Sequence, residues 1–315
     1  MPHSSSTPAI EKLTDIIKES AHTLGFEKVG IAPATPLDSE ADRLDEWLHH
    51  GRHATMNWMA VRSDERKNIL NYFPEAKSVI CVGMNYFHGI ADGEMKISNY
   101  AWGDDYHVLL KERLYQLLES VKERLPDVKG VACVDTSPVM EKVWAQRAGL
   151  GWIGKHTNLI SRDYGSWLFL GELILDCELD YDDRFEEDLC GSCTACLDAC
   201  PTDAIVEDYL VDSRRCISYL TIEHRGDLPD EFAGQLGEWI YGCDICQEVC
   251  PWNQKFSQKS QEPLFAPTSE IVERNPEEWS RLTEEEYRRI FRNSPVKRAK
   301  FTGLKRNIQS VLSNS

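Results

Sequence analysis

The chain has 315 residues, 35 basic side chains against 52 acidic ones, a net charge of −17 and eleven cysteines. A hydrophobic content of 42% supplies a core and excludes wholesale disorder, and the charge excludes an indiscriminate nucleic-acid coat, because phosphate binding needs positive charge. No run reaches the roughly 18 apolar residues of a membrane span, and Met1-Pro2-His3-Ser4 lacks the basic-then-apolar start of an export signal. These features predict a cytoplasmic protein of about two domains. In that compartment, cysteines in number point to metal rather than to disulfides.

The first eight residues are expected to fray. Ser6 or Thr7 can cap a helix carrying Ile10, Leu13, Ile16, Ile17, Ala21 and Leu24 on one face. Short strands follow at 29–32 and 78–83. Asp105 opens a long helix with Leu109, Leu110, Leu114, Leu117, Leu118, Val121 and Leu125 on its apolar stripe. Further strands read at 131–134 and 167–175. Continuous apolar strands alternating with amphipathic helices predict a layered α/β (or α+β) domain over residues 1–180. Cys81, Cys133 and Cys177 sit in apolar runs and read as small buried hydrophobes. Gly149-Leu150-Gly151-Trp152-Ile153-Gly154-Lys155 is glycine-dense but lacks the order of a Walker loop, so its glycines are expected to let backbone approach a large flat ligand. Residues 176–188 hold eight acids and one base, Arg184, and read as a solvated linker.

The remaining eight cysteines lie between 190 and 250. Cys190, Cys193, Cys196 and Cys200 form C-x2-C-x2-C-x3-C before Pro201, the run of bacterial ferredoxins. A second, shorter copy ends at Cys243, Cys246, Cys250 and Pro251. Aligned from its Cys-Pro end, it has Ile240 where its first cysteine should stand, which leaves Cys216 to fill the vacancy. The fourth cysteine of each copy serves the other cluster. One [4Fe-4S] cluster is thus expected on Cys190, Cys193, Cys196 and Cys250, and a second on Cys200, Cys216, Cys243 and Cys246. Zinc would favour two separated C-x2-C pairs instead of triplets. A ferredoxin-like domain over 181–260 with two such clusters is a single-electron relay.

From Tyr287 to Ser315 there is no acid and there are eight bases, so the rest of the chain carries 27 bases against 52 acids. Residues 261–315 are expected to form a basic helical tail packed on the body, with Thr283-x-x-Glu286 as a capping box. The tail reads as a phosphate-contacting patch, with a solvated helical face as the alternative.

In combination, several runs resemble the epoxyqueuosine reductase family. They are Tyr100-Ala101-Trp102-Gly103-Asp104-Asp105-Tyr106-His107, Val134-Asp135-Thr136-Ser137-Pro138-Val139-Met140-Glu141-Lys142, Gly149 to Asn158, Gly165 to Glu172, the eight-cysteine module, and Tyr241-Gly242-Cys243-Asp244-Ile245-Cys246-Gln247. The likeness spans nearly the whole chain, which looks like a short form without the helical-repeat domain that many members add. It implies a cobalamin-dependent enzyme that removes the epoxide oxygen of epoxyqueuosine at the tRNA wobble position and leaves an alkene. Reduced cobalt in a corrin opens an epoxide carbon, and the clusters supply the electrons. The family's general acid falls on Asp135, expected to be held protonated by an apolar setting at a strand end. No cobalt-ligating D-x-H-x-x-G pattern is present, so a base-off cofactor without a protein axial ligand is expected, and His107, His156 and His224 read as hydrogen-bonding side chains. Trp58, Tyr100, His156, Asn158 and Ser161 are the candidates around the corrin, with Asp135. His224, Arg225, Lys297, Arg298, Lys300, Lys305 and Arg306 are the candidates for the tRNA anticodon stem-loop. The implied working form is a monomer, away from the membrane, fed by a flavodoxin- or ferredoxin-like donor. A reductive dehalogenase-like enzyme and a pure electron carrier are the alternatives.

Overall fold

The computed structural model describes residues 8–232 and 234–313, so the caps proposed at Ser6 or Thr7 and the fraying start lie outside the described residues, though Pro8 is already helical. The front half is built on four strands: β1 (Lys28–Pro33), β2 (Ser78–Asn85), β3 (Gly130–Cys133) and β4 (Leu168–Leu175). They lie in the order β1-β2-β4-β3, and every neighbouring pair is antiparallel. Alternation along β2 divides the core into two. Ile80, Val82 and Met84 join one apolar cluster, which includes Ile17 and Ala21 of α1 (Pro8–Thr23) and Leu110, Leu114 and Leu117 of α2 (Tyr106–Lys122). Val79 and Cys81 join the other, with Val143 and Trp144 of α3 (Glu141–Arg147). The expected layering is therefore present, with helices on both faces. Strand direction was not legible, because a strand buried on both faces reads as one apolar run whichever way it points.

Asp105 caps α2 as expected, its carboxylate accepting the His107 N–H. Cys81 and Cys133 are buried, whereas Cys177 lies beyond the end of β4 and is half-buried. The glycine run lets the chain's own backbone come close. A Cβ on Gly151 would lie 2.1 Å from the Ile160 carbonyl oxygen, and Gly149 has φ +79° against the Asp183 backbone. These close approaches shape a small hairpin, Trp152–Ile153 against Leu159–Ile160. The acidic run is mostly exposed but strapped down: Asp182 accepts from the Ile31 N–H at 2.8 Å and from Lys18 at 2.6 Å.

In the cysteine region each copy forms a short helix around its third cysteine, Ala195–Asp198 and Ile245–Glu248. Pro251 then starts a further helix, Pro251–Phe256, from its first position, where a missing N–H costs nothing. The tail is not an appendage. Trp279, Phe291, Leu304 and Ile308 share one core with Ile97, Trp102, Leu220 and Tyr241, so 95–102, 217–241 and the tail are packed as one unit. The Thr283–Glu286 capping box is present, but it carries only Arg288 and Arg289 into its helix, and the later bases sit on α4 (Lys300–Leu312) and the turn before it. No helix among the described residues is long and apolar enough to cross a membrane.

Candidate active site and electron relay

Cys190, Cys193, Cys196 and Cys250 line one cavity of about 230 Å³, together with Lys155, His156, Leu189 and Trp252. Burial, then the neighbouring Cys190, Cys250 and Cys193, pushes the Cys196 thiol up to about 11. Cys200, Cys216, Cys243 and Cys246 form the other neighbourhood. After burial, the charge of Cys200 raises Cys216, and the charge of Cys216 raises both Cys243 and Cys246. The two sets adjoin at Cys246, on which Cys196 and Cys200 also act. Thiols this close repel one another when ionised, and bound cations would relieve that repulsion.

Asp135 follows the end of β3 at φ +50°, a left-handed conformation that a non-glycine residue adopts at a cost of about 1–3 kcal/mol. Its side chain is 56% exposed and lies 3.1 Å from His107 Nε2. This differs from the expected apolar setting. β3 is short, so Asp135 stands clear of the sheet and meets an imidazole instead. His107 Nδ1 lies 2.6 Å from Asp105, whose other oxygen accepts from Lys297 at 2.9 Å. Burial disfavours the imidazolium, but the hydrogen bonds to Asp105 and Asp135 outweigh it and bring His107 up to about 9. Burial would raise Asp105, yet the His107 and Lys297 bonds outweigh that and take it down to about 2. At neutral pH the site's labile proton is therefore held on an imidazole between two carboxyl groups.

A raised His107 contributes stability that is fully present below about 6.5 and is lost as pH rises through about 9. The groups facing it are Asp105, Asp135 and Glu141, with the Tyr106 ring stacked at 4.1 Å. Turnover is expected to fall along an alkaline limb near pH 9, and His107→Gln to remove that limb; rates measured from pH 6.5 to 10 decide. A wild-type profile flat across that range would refute it.

Behind this pair, Glu141 accepts the Asp135 main-chain N–H. Lys142 is exposed and donates to Asn158 Oδ1 at 2.8 Å. The charges of Glu141, Cys246, Cys216 and Asp135 all act on Lys142, so the second cysteine set borders the same cleft as Asp135. Tyr100 stands here too, donating to Tyr241, which donates to the Pro295 carbonyl. Trp58 is exposed at the rim, stacked by Arg66, which reaches Ser137 in the Asp135 loop. His156 is buried; burial, then Lys142, takes it down to about 4. Its Nδ1 accepts the Asn158 N–H, which assigns the proton to Nε2, and that nitrogen has no partner among the described residues. Ser161 is fully buried and spent on a turn, accepting the Asp163 N–H, so it does not reach the cleft.

The basic tail divides. Arg306 donates to the carbonyls of Leu220, His224 and Gly226, and Lys305 to those of Ser280 and Leu282, so these two fasten helices and are not free for phosphate. Arg298 is paired with both oxygens of Glu223 at 2.7 Å, and Arg225 donates to the Arg298 and Ile222 carbonyls. His224 bonds the Asp227 carbonyl. Lys297 faces Asp105, and Lys300 is exposed with no ion-pair partner among the described residues. Sequence reasoning missed Glu141 and the Asp105–His107–Asp135 chain; Asp-x-His at the start of α2 was the available signal.

Two abutting cysteine sets that open onto a cleft with a poised proton define an iron–sulfur oxidoreductase. A family pattern for the 4Fe-4S double cluster binding domain matches residues 189–253, and one for Epoxyqueuosine reductase QueG, DUF1730, matches residues 66–136. The epoxyqueuosine reductase of Cellulophaga algicola is 46% identical over 95% of this chain and 97% of its own, and that of Synechocystis sp. 46% identical over 90% and 100%. The chain belongs to the epoxyqueuosine reductase family. An epoxyqueuosine reductase crystallised with an epoxyqueuosine-modified tRNA-Tyr stem loop is 30% identical and superimposes with a TM-score of 0.87, covering 96% of this chain and 81% of that one. A Bacillus subtilis epoxyqueuosine reductase structure, 29% identical over 96% of this chain and 82% of that one with a TM-score of 0.86, has its catalytic aspartate loop swung out of the active site.

Proposed function

We propose that this chain reduces epoxyqueuosine to queuosine in the anticodon loop of tRNA, in the cytoplasm where that RNA resides. The observation that carries the reading is the Asp135–His107–Asp105 chain, with contacts of 3.1 and 2.6 Å, which holds a proton at the cleft. The cysteine sets are the source of the electrons. Removing the oxygen takes two electrons and two protons and gives an alkene and water.

The residues fit a cobalamin in this cleft. The unpartnered Nε2 of His156, the Lys142 ammonium and the Asn158 amide are donors for the amide side chains of a corrin, with Trp58 and Tyr100 as flanking rings. Bound there, cobalamin supplies a strongly nucleophilic, low-potential metal. His107 is engaged through both ring nitrogens and His156 would offer the cofactor an N–H and not a lone pair, so these two would act toward it as hydrogen-bonding side chains. Cys190 and Cys193 flank the exposed Gly191 and Ser192, so we assign cluster one as the receiver of electrons from an external flavodoxin- or ferredoxin-like donor and cluster two as the feeder of the cleft. Asp135 gives the proton to the departing oxygen, and His107 at 3.1 Å resupplies it. The exposure of Asp135 and its left-handed backbone fit a loop that moves, as in the Bacillus relative. For the RNA backbone, Lys297 beside Asp105 and the exposed Lys300 are the bases to expect in contact, ahead of Arg225 and Arg298.

The test is anaerobic protein assayed for metal and for conversion of epoxyqueuosine-tRNA. About eight irons, about one cobalt after incubation with cobalamin, and queuosine as product are expected. Protein that binds no cobalamin, or that passes electrons onward without converting the tRNA, would overturn the reading.

A further inference from the structure

We propose that Glu141 is the positioning residue of the Asp135 loop, holding it in the cleft by accepting the Asp135 main-chain N–H. Three observations support this. First, that N–H is the loop's bond at the residue whose backbone is left-handed, so it opposes relaxation of φ away from +50°. Second, Glu141 itself is fixed. It opens α3, whose Val143 and Trp144 are buried against the sheet, so its backbone is anchored to the domain core. Third, a second carboxyl faces the helix that Glu141 opens. Glu172 on β4 is fully buried between Cys133 of β3 and Cys81 of β2, with neither carboxyl oxygen partnered among the described residues.

Charge explains why such a latch is compatible with a carboxylate at Asp135. Burial, then the charge of Asp135, pushes Glu141 up to about 8, and burial with Glu141 pushes Glu172 well above the carboxylate range. Burial and the neighbouring Asp135 charge both favour the neutral form of Glu141, which keeps an oxygen available as acceptor. A helix-opening glutamate that acted only on the helix dipole would need to be ionised and would make no bond to the loop.

The inference rests on the reading of Asp135 as proton donor for its effect on turnover, but not for its effect on the loop. The experiment therefore has two readouts on the cluster-loaded full chain: hydrogen exchange of the 134–140 backbone without substrate, and single-turnover conversion of epoxyqueuosine-tRNA. Glu141→Ala is expected to speed exchange at the Asp135 amide about tenfold, the weight of one hydrogen bond, and to lower turnover to a similar degree with KM for tRNA unchanged. Glu141→Gln keeps an acceptor oxygen and the neutral charge, and is expected to restore both. Glu141→Ala exchanging at the parental rate, or Glu141→Gln exchanging as fast as the alanine variant, would overturn the proposal. Exchange that responds as expected while turnover stays parental in both variants upholds the latch and instead removes Asp135 from proton donation.

Discussion

Asp135→Asn is expected to lower turnover by about 10²- to 10⁴-fold, the usual worth of a general acid, while both clusters stay in place. The amide has the size and shape of the carboxyl group. Its oxygen can still accept from His107 Nε2 at the 3.1 Å now observed, and the main-chain bond to Glu141 does not involve the side chain. Only the capacity to take a proton from the imidazole and pass it to an oxygen is lost. Single-turnover conversion of epoxyqueuosine-tRNA, with cluster absorbance as control, measures this. Parental turnover would end the assignment and would point to His107 as the direct donor, since it already carries the proton.

Cys216→Ala is expected to halve the iron, from about eight to about four per chain, and to abolish turnover. Cys216 is the decisive ligand to remove, because it stands in neither C-x2-C run. Its charge acts on Cys243 and Cys246, whereas the cavity of the other set is lined without it. The remaining four irons are therefore expected on Cys190, Cys193, Cys196 and Cys250. Cys177→Ala, beyond the end of β4, is the control that keeps all the iron. Full iron in Cys216→Ala would dissolve the partition into these two sets.

What was legible in the sequence was what is local. Ligand spacing in a cubane motif is set by a few residues of turn, so Cys190, Cys193 and Cys196 announce themselves, and Asp135 could be placed at a strand end because apolar runs stop abruptly. The helix caps at Asp105 and Thr283 were likewise fixed by their own next few residues. What was not legible depends on distant partners. A charged side chain looks the same in sequence whether it faces solvent or a carbonyl, so Lys305 and Arg306 read as a phosphate patch although the backbone consumes them. Glu172 reads as an ordinary strand residue, yet it is buried between two cysteines. The glycines of 149–154 permit close approach as their spacing suggests, and the chain's own backbone at Asp183 and Ile160 comes close there, which only the fold reveals.

The pairing of Lys297 with Asp105 joins two segments between which the entire cysteine region is threaded. Closing a loop of that size carries an entropic cost, and contacts within the loop offset it only once it is folded. Once closed, the tie sets the opening of α2 against the tail, so the imidazole that holds the proton is steadied from both sides of the cysteine region.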